Sequence, residues 1–396
     1  MPFWFMEQWQ IYRFNRAAKI AKESVGMYKD IFAKAGVGPA RISGLRDLER
    51  FPVITKTIIK SYKGYSWDGM VADSDAADLS RRARAVSVCR EDGKPFLFWV
   101  DLESEPLGRF PEYVRRLGFN LSGGRTIVFS ATPKPILLNR NLLFFPRRYP
   151  IDKEEEFVLE MRDFDPQYIF FDTYSRLFQC AEIFRKRGLT NKIKPKSIFV
   201  FIPYLSQKDR HALQEIFCCT IFLVIYAPWH EAPFLGWECG THLGFHLNRQ
   251  SYLLEVVDEK GKQLPTGKEG KIVVTNFDNE VMPFLRYDTG DRGEFLEESC
   301  SCGIASPLFL INNNQQYFFS GNRLIDYGDL GYIFRYYHGS ANEFRVKASA
   351  PNTITVEVLP QSTWIPDYER HLRAALEMEL GRAVNVDIRI GPPKST

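Results

Sequence analysis

Long apolar runs are missing from this sequence. No stretch of about 18 apolar residues occurs, so no transmembrane helix is expected. The start, Met1-Pro-Phe-Trp-Phe-Met-Glu-Gln-Trp9, is apolar but has no basic flank, no apolar core of useful length and no small-residue cleavage site. That pattern predicts a cytoplasmic protein without a secretory leader. Charge of one sign is also lacking. A formal net charge of +4 over 396 residues is too small for a nucleic-acid surface, though it is compatible with phosphate-bearing small ligands. Cysteines are few and odd in number, seven in all, with Cys218 and Cys219 adjacent. This is a poor disulfide framework and fits reduced thiols or a metal better. Internal repeats, low-complexity segments and a Ser-His-Asp or Cys-His nucleophile arrangement are absent as well.

The composition that remains, 45% hydrophobic and 25% charged, is that of an ordinary soluble globular protein, long enough for two domains. Apolar residues at helical spacing from Trp9 to Phe32 predict one amphipathic helix over 7–35, ended by Gly36-Val-Gly-Pro39. Ser43 can cap a short helix through Leu48, and Pro52-Val-Ile-Thr-Lys56 starts another. Residues 85–96 read as strand-turn-strand around Glu91-Asp-Gly-Lys94. A helix is expected from Pro111 to Gly118. Beyond it, continuous apolar strands at 125–131, 168–172, 197–202 and 220–225 alternate with helices at 153–163, 174–188 and 208–217. Such alternation predicts parallel strands covered on both faces, an α/β fold. Ligands of such sheets sit at the carboxyl ends of strands, which makes Tyr226-Ala-Pro-Trp-His-Glu231 a site candidate by position.

After this, 252–258 and 271–275 read as paired strands joined through glycine turns. Met282-Pro-Phe-Leu-Arg-Tyr-Asp-Thr-Gly-Asp291 puts an apolar, proline-fixed segment before an Arg/Asp/Gly turn, a way to present a carboxylate to a ligand hydroxyl. Cys239 and His242 stand at C-x2-H spacing, and Cys300 and Cys302 at C-x-C. Together they suit a closed tetrahedral zinc site of structural type, with His246 as the rival imidazole. Beyond Pro307-Leu-Phe-Leu-Ile311, strands near 322–325, 343–347, 353–358 and 385–390, with a helix over 366–381, predict a small α+β domain at the end.

The strings Glu238-Cys-Gly-Thr-His242, Gly244-Phe-His246, Leu254-Glu-Val-Val-Asp258, Gly267 to Thr275 and Met282 to Asp291 resemble the adenylate-forming superfamily. The similarity is closest to its phenylacetate-CoA ligase and capsule-biosynthesis ligase branch, and with Ile42 to Lys56 it spans most of 10–312. The resemblance implies a large lobe of sheets covered by helices, residues 1–312, and a small α+β C-terminal lobe, residues 313–396. It implies a ribose-binding carboxylate at Asp291 beside Tyr287. It also implies a nucleotide- and acyl-contacting turn, in which Glu231 and His230 are the catalytic candidates and Tyr226 and Trp229 line an acyl pocket. In the family's phosphate loop this chain has Cys89, Arg90, Glu91 and Asp92 in place of small hydroxyl residues, which leaves Ser87 and Lys94 as phosphate-binding candidates. Two carboxylates beside a triphosphate repel it. The family's hinge is Asn312-Asn-Asn-Gln-Gln316 here, without its arginine and carboxylate, and Lys394 is the one candidate for the catalytic lysine. These departures set the expected function as acyl or aryl transfer between thioesters, from CoA to a carrier protein or amine, with impaired ATP activation. The alternatives are an ATP- and Mg-dependent carboxylic acid-CoA ligase and a non-catalytic binding or scaffold protein. Expected partners are a small aryl or acyl substrate, CoA or an acyl carrier protein thioester, and a second copy in a homodimer.

Overall fold

The spacing that predicts one N-terminal helix gives two, α1 (Phe3–Ser24) and α2 (Gly26–Lys34). Val25 between them is extended, with φ −115° and ψ 113°. Its β-branched side chain is fully buried, and the flexible Gly26 follows it, so the break keeps the apolar stripe on the core. The structure is a computed structural model and describes residues 3–37, 41–62, 83–88, 96–101, 123–130, 134–146, 150, 153–202, 204–225, 234–313, 317–320, 323–326, 330, 333–334, 340–350, 352–380 and 384–391. A 3-10 turn follows at Leu45–Arg50. Its N-cap is Gly44 rather than the expected Ser43, because the Asp47 carboxylate accepts from the backbone and hydroxyl of Ser43 and from the Gly44 N–H. Helix α3 (Lys56–Ser61) is capped by Thr55, whose hydroxyl accepts from the Ile58 N–H. The expected pair of strands around residue 90 appears as β1 (Ala83–Val88) and β2 (Phe96–Asp101). The turn between them and the expected helix 111–118 lie outside the described residues.

The chain divides into two compact units: residues 1–86, 97–118 and 224–314 form one, and 87–96, 119–223 and 315–396 the other. These units do not follow the expected division after 312, since 119–223 fall in the same unit as 315–396. The second unit contains β3 (Thr126–Ser130), β4 (Ile136–Asn139), β5 (Leu142–Pro146), β6 (Tyr168–Phe171), β7 (Ser197–Val200) and β8 (Thr220–Ile225). Helices α4 (Glu154–Phe164), α5 (Tyr174–Lys186) and α6 (Gln207–Phe217) alternate with the later strands. Strands β5, β3, β6, β7 and β8 are neighbours in that order and all parallel, with β4 antiparallel on the β5 edge. Every residue of β6 and β7 is buried, as their unbroken apolar runs predicted. Phenylalanines fill the layer: Phe170 stacks on Phe199 at 4.8 Å and Phe129 on Phe171 at 4.8 Å.

In the first unit the last residues of β8 pair with an antiparallel sheet built from β9 (Gly236–Glu238), β10 (Phe245–Leu247), β11 (Tyr252–Val257), β12 (Gly270–Asn276), β13 (Tyr287–Phe295) and β14 (Leu308–Asn313). Its order is β11-β12-β13-β14-β10-β9. The C-terminal segment adds the hairpin β15 (Tyr317–Ser320) and β16 (Arg323–Asp326). It also has a sheet of β17 (Ala341–Ala350), β18 (Thr353–Pro360) and β19 (Asn385–Ile390), with α7 (Pro366–Leu380) between the last two. The β18–β19 pair is parallel, as a helical crossover requires. The mixed α/β architecture with a separate small sheet is the fold class expected from the sequence.

Candidate functional site

Two neighbouring turns and one strand of the antiparallel sheet bring three thiols and an imidazole together. Cys239 follows β9, His246 lies in the middle of β10, and Cys300 and Cys302 sit in the connection from β13 to β14. Strand pairing sets their positions: β10 runs between β9 and β14, with His246 opposite Trp237 on one side and Leu308 on the other. The connection is stitched to β10 through Ser306, whose hydroxyl accepts from the Leu247 N–H and donates to the Leu247 carbonyl. Cys239 Sγ is 3.4 Å from Cys300 Sγ, and Cys302 Sγ is 3.2 Å from His246 Nε2. All four donor atoms lie within 4.8 Å of one another.

That set fits a metal ion of zinc type. Ligands around one tetrahedral zinc, with Zn–S of about 2.3 Å, are about 3.7 Å apart, a value that lies within the range of separations here, from 3.2 Å to at most 4.8 Å. Three cysteines and one histidine make a closed structural donor set with no open position for chemistry. Burial pushes the His246 pKa below the usual imidazole value, which favours the neutral ligating form. His246 Nδ1 is buried without a hydrogen-bond partner, so this ring is oriented by its strand and by the thiols on its Nε2 side.

Among the described residues the imidazole that clusters with the three thiols is His246; His242, expected from the C-x2-H spacing, is not in that cluster. His242 sits at φ +53° in the turn after β9, and its Nδ1 lies 3.2 Å from Glu238 Oε2. The C-x2-H spacing directs attention to the turn, whereas the usable imidazole comes from the neighbouring strand.

Tyr287 to Asp291 form the start of β13, not the turn expected from the glycine and aspartates. Along the strand, burial alternates: Tyr287, Thr289 and Asp291 point inward, while Asp288, Gly290 and Arg292 are half-buried. The Tyr287 ring packs edge-on against Phe284 at 5.0 Å between centroids and is 1% exposed, a core position. Asp291 is 2% exposed, and its N–H donates to Thr289 Oγ1. Arg286, just before the strand, is also fully buried. Its guanidinium forms a bidentate pair with Glu255, with both nitrogen-to-oxygen distances at 3.0 Å.

A cleft of about 420 Å³ opens between residues 49–55 and the Val257–Gly261 turn, with Lys271, Arg286 and Asp288 along it. It reaches neither Asp291 nor the thiols. Two of its charged groups pair, Lys271 with Glu259 at 2.8 Å, and Glu259 also pairs at 3.0 Å with Arg292, which is not part of the lining. Tyr226, Trp229, His230 and Glu231, Lys94 of the phosphate-loop segment, and Lys394 lie outside the described residues. Ser87 is placed in β1 by its backbone alone. Of the hinge segment, Asn312 is described, and its amide donates to Glu269 and Glu294. No helix among the described residues is long and apolar enough to cross a membrane.

No family model matches the chain. It is 26% identical over 308 residues to the phenylacetate-coenzyme A ligase of Thermus thermophilus, an alignment covering 74% of this chain and 66% of that one. It is 24% identical over 325 residues to the enzyme of the same name from Pseudomonas putida, covering 76% and 68%. The chain thus spans about two thirds of the length of these relatives. In fold it is similar to a crystal structure of 2-hydroxyisobutyryl-CoA ligase with 2-HIB-AMP and CoA in the thioesterification state. The TM-score is 0.71 at 15% identity, covering 100% of this chain and 88% of that one. An open conformation of the same ligase gives 0.67, at 15% identity and with 100% and 90% covered. The sequence relatives, and a fold matched along the whole chain, agree with the motifs of β9 to β13 in their likeness to the adenylate-forming superfamily.

Proposed function

We propose that the chain is an ATP-dependent carboxylic acid-CoA ligase, with thioester-to-thioester transfer as the weaker reading. The observation that carries this is the similarity, over about three quarters of the chain, to two proteins that are both CoA ligases. Thioester transfer without ATP activation has no such support. In the ligase reaction a substrate carboxylate oxygen attacks the α-phosphorus of ATP and pyrophosphate leaves. The CoA sulfur then attacks the acyl carbon and AMP leaves. Asp291, on a strand fixed at its start, is the residue we assign to the ribose hydroxyls, which a carboxylate can bind through charge-assisted hydrogen bonds. Cys239, His246, Cys300 and Cys302 are assigned to a structural zinc, which supplies stability to the sheet and no chemistry.

The test is pyrophosphate release with MgATP, CoA and a panel of aryl and fatty acids. Acid-dependent release supports the ligase. Acyl transfer from a supplied CoA thioester without pyrophosphate release would establish the transferase instead, and neither activity would leave a binding protein.

A further inference from the structure

Arg286, the residue that leads into β13, has an uncommon backbone. Its φ is +45°, the left-handed region that a non-glycine residue occupies only when its surroundings hold it there. It is 1% exposed, and every polar group it has is engaged. Its N–H donates to Thr275 Oγ1 at 3.0 Å and its carbonyl accepts from the Ile54 N–H at 2.9 Å. Nη1 donates to the Phe51 carbonyl at 2.6 Å, and Nη2 to the Gly261 carbonyl at 2.7 Å, in addition to the Glu255 pair. These partners come from four separate places: the 51–54 segment, β11, the turn after β11, and β12. Ile54 also accepts from the Asp288 N–H at 2.9 Å, so the clip continues into β13. Along a strand the side chains alternate, so the residue at which a strand is pinned decides which of the following ones face inward. A guanidinium that only balanced Glu255 would need neither the carbonyl contacts nor the left-handed backbone.

We infer that Arg286 is a positioning residue for nucleotide: it pins the start of β13 and so aims Asp291 at the ribose without itself touching the ligand. This rests on the assignment of Asp291 to the ribose given above. The experiment is a double-mutant cycle read as the Kd for MgATP by calorimetry, with Tm measured on each variant. Arg286→Lys keeps a charge beside Glu255 but loses the planar fork that reaches both carbonyls. Its Kd is expected to rise on the order of tenfold, as misplacement of a binding group by a fraction of an ångström produces. Asp291→Asn should also weaken binding. The double variant should bind no worse than Asp291→Asn alone, because the pin acts only through that carboxylate. As a control for lost stability, Arg13→Lys disturbs another arginine of the same unit, whose Nη2 donates to Asp278 and to the Phe277 carbonyl, and should lower Tm with Kd unchanged.

Additive losses, or an unchanged Kd in folded Arg286→Lys while Asp291→Asn weakens binding, would overturn the inference alone. An unchanged Kd in Asp291→Asn would overturn the ribose assignment and the inference with it. Should Arg286→Lys fail to fold, Glu255→Gln, which unpairs the guanidinium while keeping the shape, carries the same cycle with the same expected direction.

Discussion

Cys302 Sγ and His246 Nε2 lie 3.2 Å apart although 56 residues separate them in the chain. A thiol and an imidazole that close, with two more thiols alongside, predict one zinc per chain. Cys300→Ser and His246→Ala should each lose the metal or bind it far more weakly, whereas His242→Ala should keep it. Metal content by mass spectrometry, with Tm measured in parallel, checks this. Chelation should lower Tm in the wild type and have little effect in the two metal-site variants, since the metal's binding energy is folding energy. A metal-free protein with an unchanged Tm would end the assignment.

Gly293 in β13 has no room for a side chain. A Cβ there would lie 2.1 Å from the Leu310 carbonyl oxygen and 2.8 Å from Ile272 Cδ1. The first neighbour is backbone of the paired strand β14 and cannot swing away. Gly293→Ala should therefore cost about 3 kcal/mol or more, by forcing β13 and β14 apart. Gly44→Ala, with nothing within 4 Å of its added Cβ, should cost about 1 kcal/mol or less. Urea melts of both variants make the comparison.

What was legible in the sequence follows from what each element buries. The runs at 168–171 and 197–200 are apolar at every position, and strands covered on both faces leave that signature whatever their neighbours are. The break at Val25 was not legible, because the apolar spacing continues through it and only the buried, extended valine separates the helices. The sequence points to a turn at Asp291 because Gly290 and two aspartates are turn residues, yet the inward alternation of Tyr287, Thr289 and Asp291 outweighs that local preference. Residue spacing offers His246 only as a rival ligand. Its position depends on the pairing of β10 with β9 and β14, a long-range fact that residue spacing does not carry.

Acid should expose the ion pairs between α4 and the end of α5. Glu154 accepts from Lys186 at 2.9 Å and from Arg187 at 2.5 Å, and these bonds, with Lys186 first, hold its pKa below the ordinary 4.5. A carboxylate with a depressed folded pKa adds stability above its unfolded value and loses it as pH falls through the folded one. Glu154→Gln should thus melt below wild type at pH 7. The gap should close as pH falls below about 4.5, and it should narrow in high salt. A gap that persists at pH 3 would show that packing rather than charge accounts for it.

Arg176 on α5 pairs with Glu379 on α7, two charges 2% and 3% exposed and 203 residues apart. Gln179 completes the contact, accepting from Arg176 and donating to the Glu379 carbonyl. The pair ties the C-terminal helix to the parallel-sheet segment within one unit. Removing one partner leaves the other charged and buried, so Glu379→Ala should cost about 3–5 kcal/mol. The double change Arg176→Met/Glu379→Leu removes both charges while keeping volume, and should recover most of that loss. In a chain of this size a global melt need not be two-state, so the local readout is the stricter one. Amide hydrogen exchange should accelerate in α7 for Glu379→Ala and return toward wild type in the double variant. If α7 is equally protected in all three proteins, the pair is not what holds the helix, and apolar packing of Leu372, Leu376 and Leu380 is sufficient.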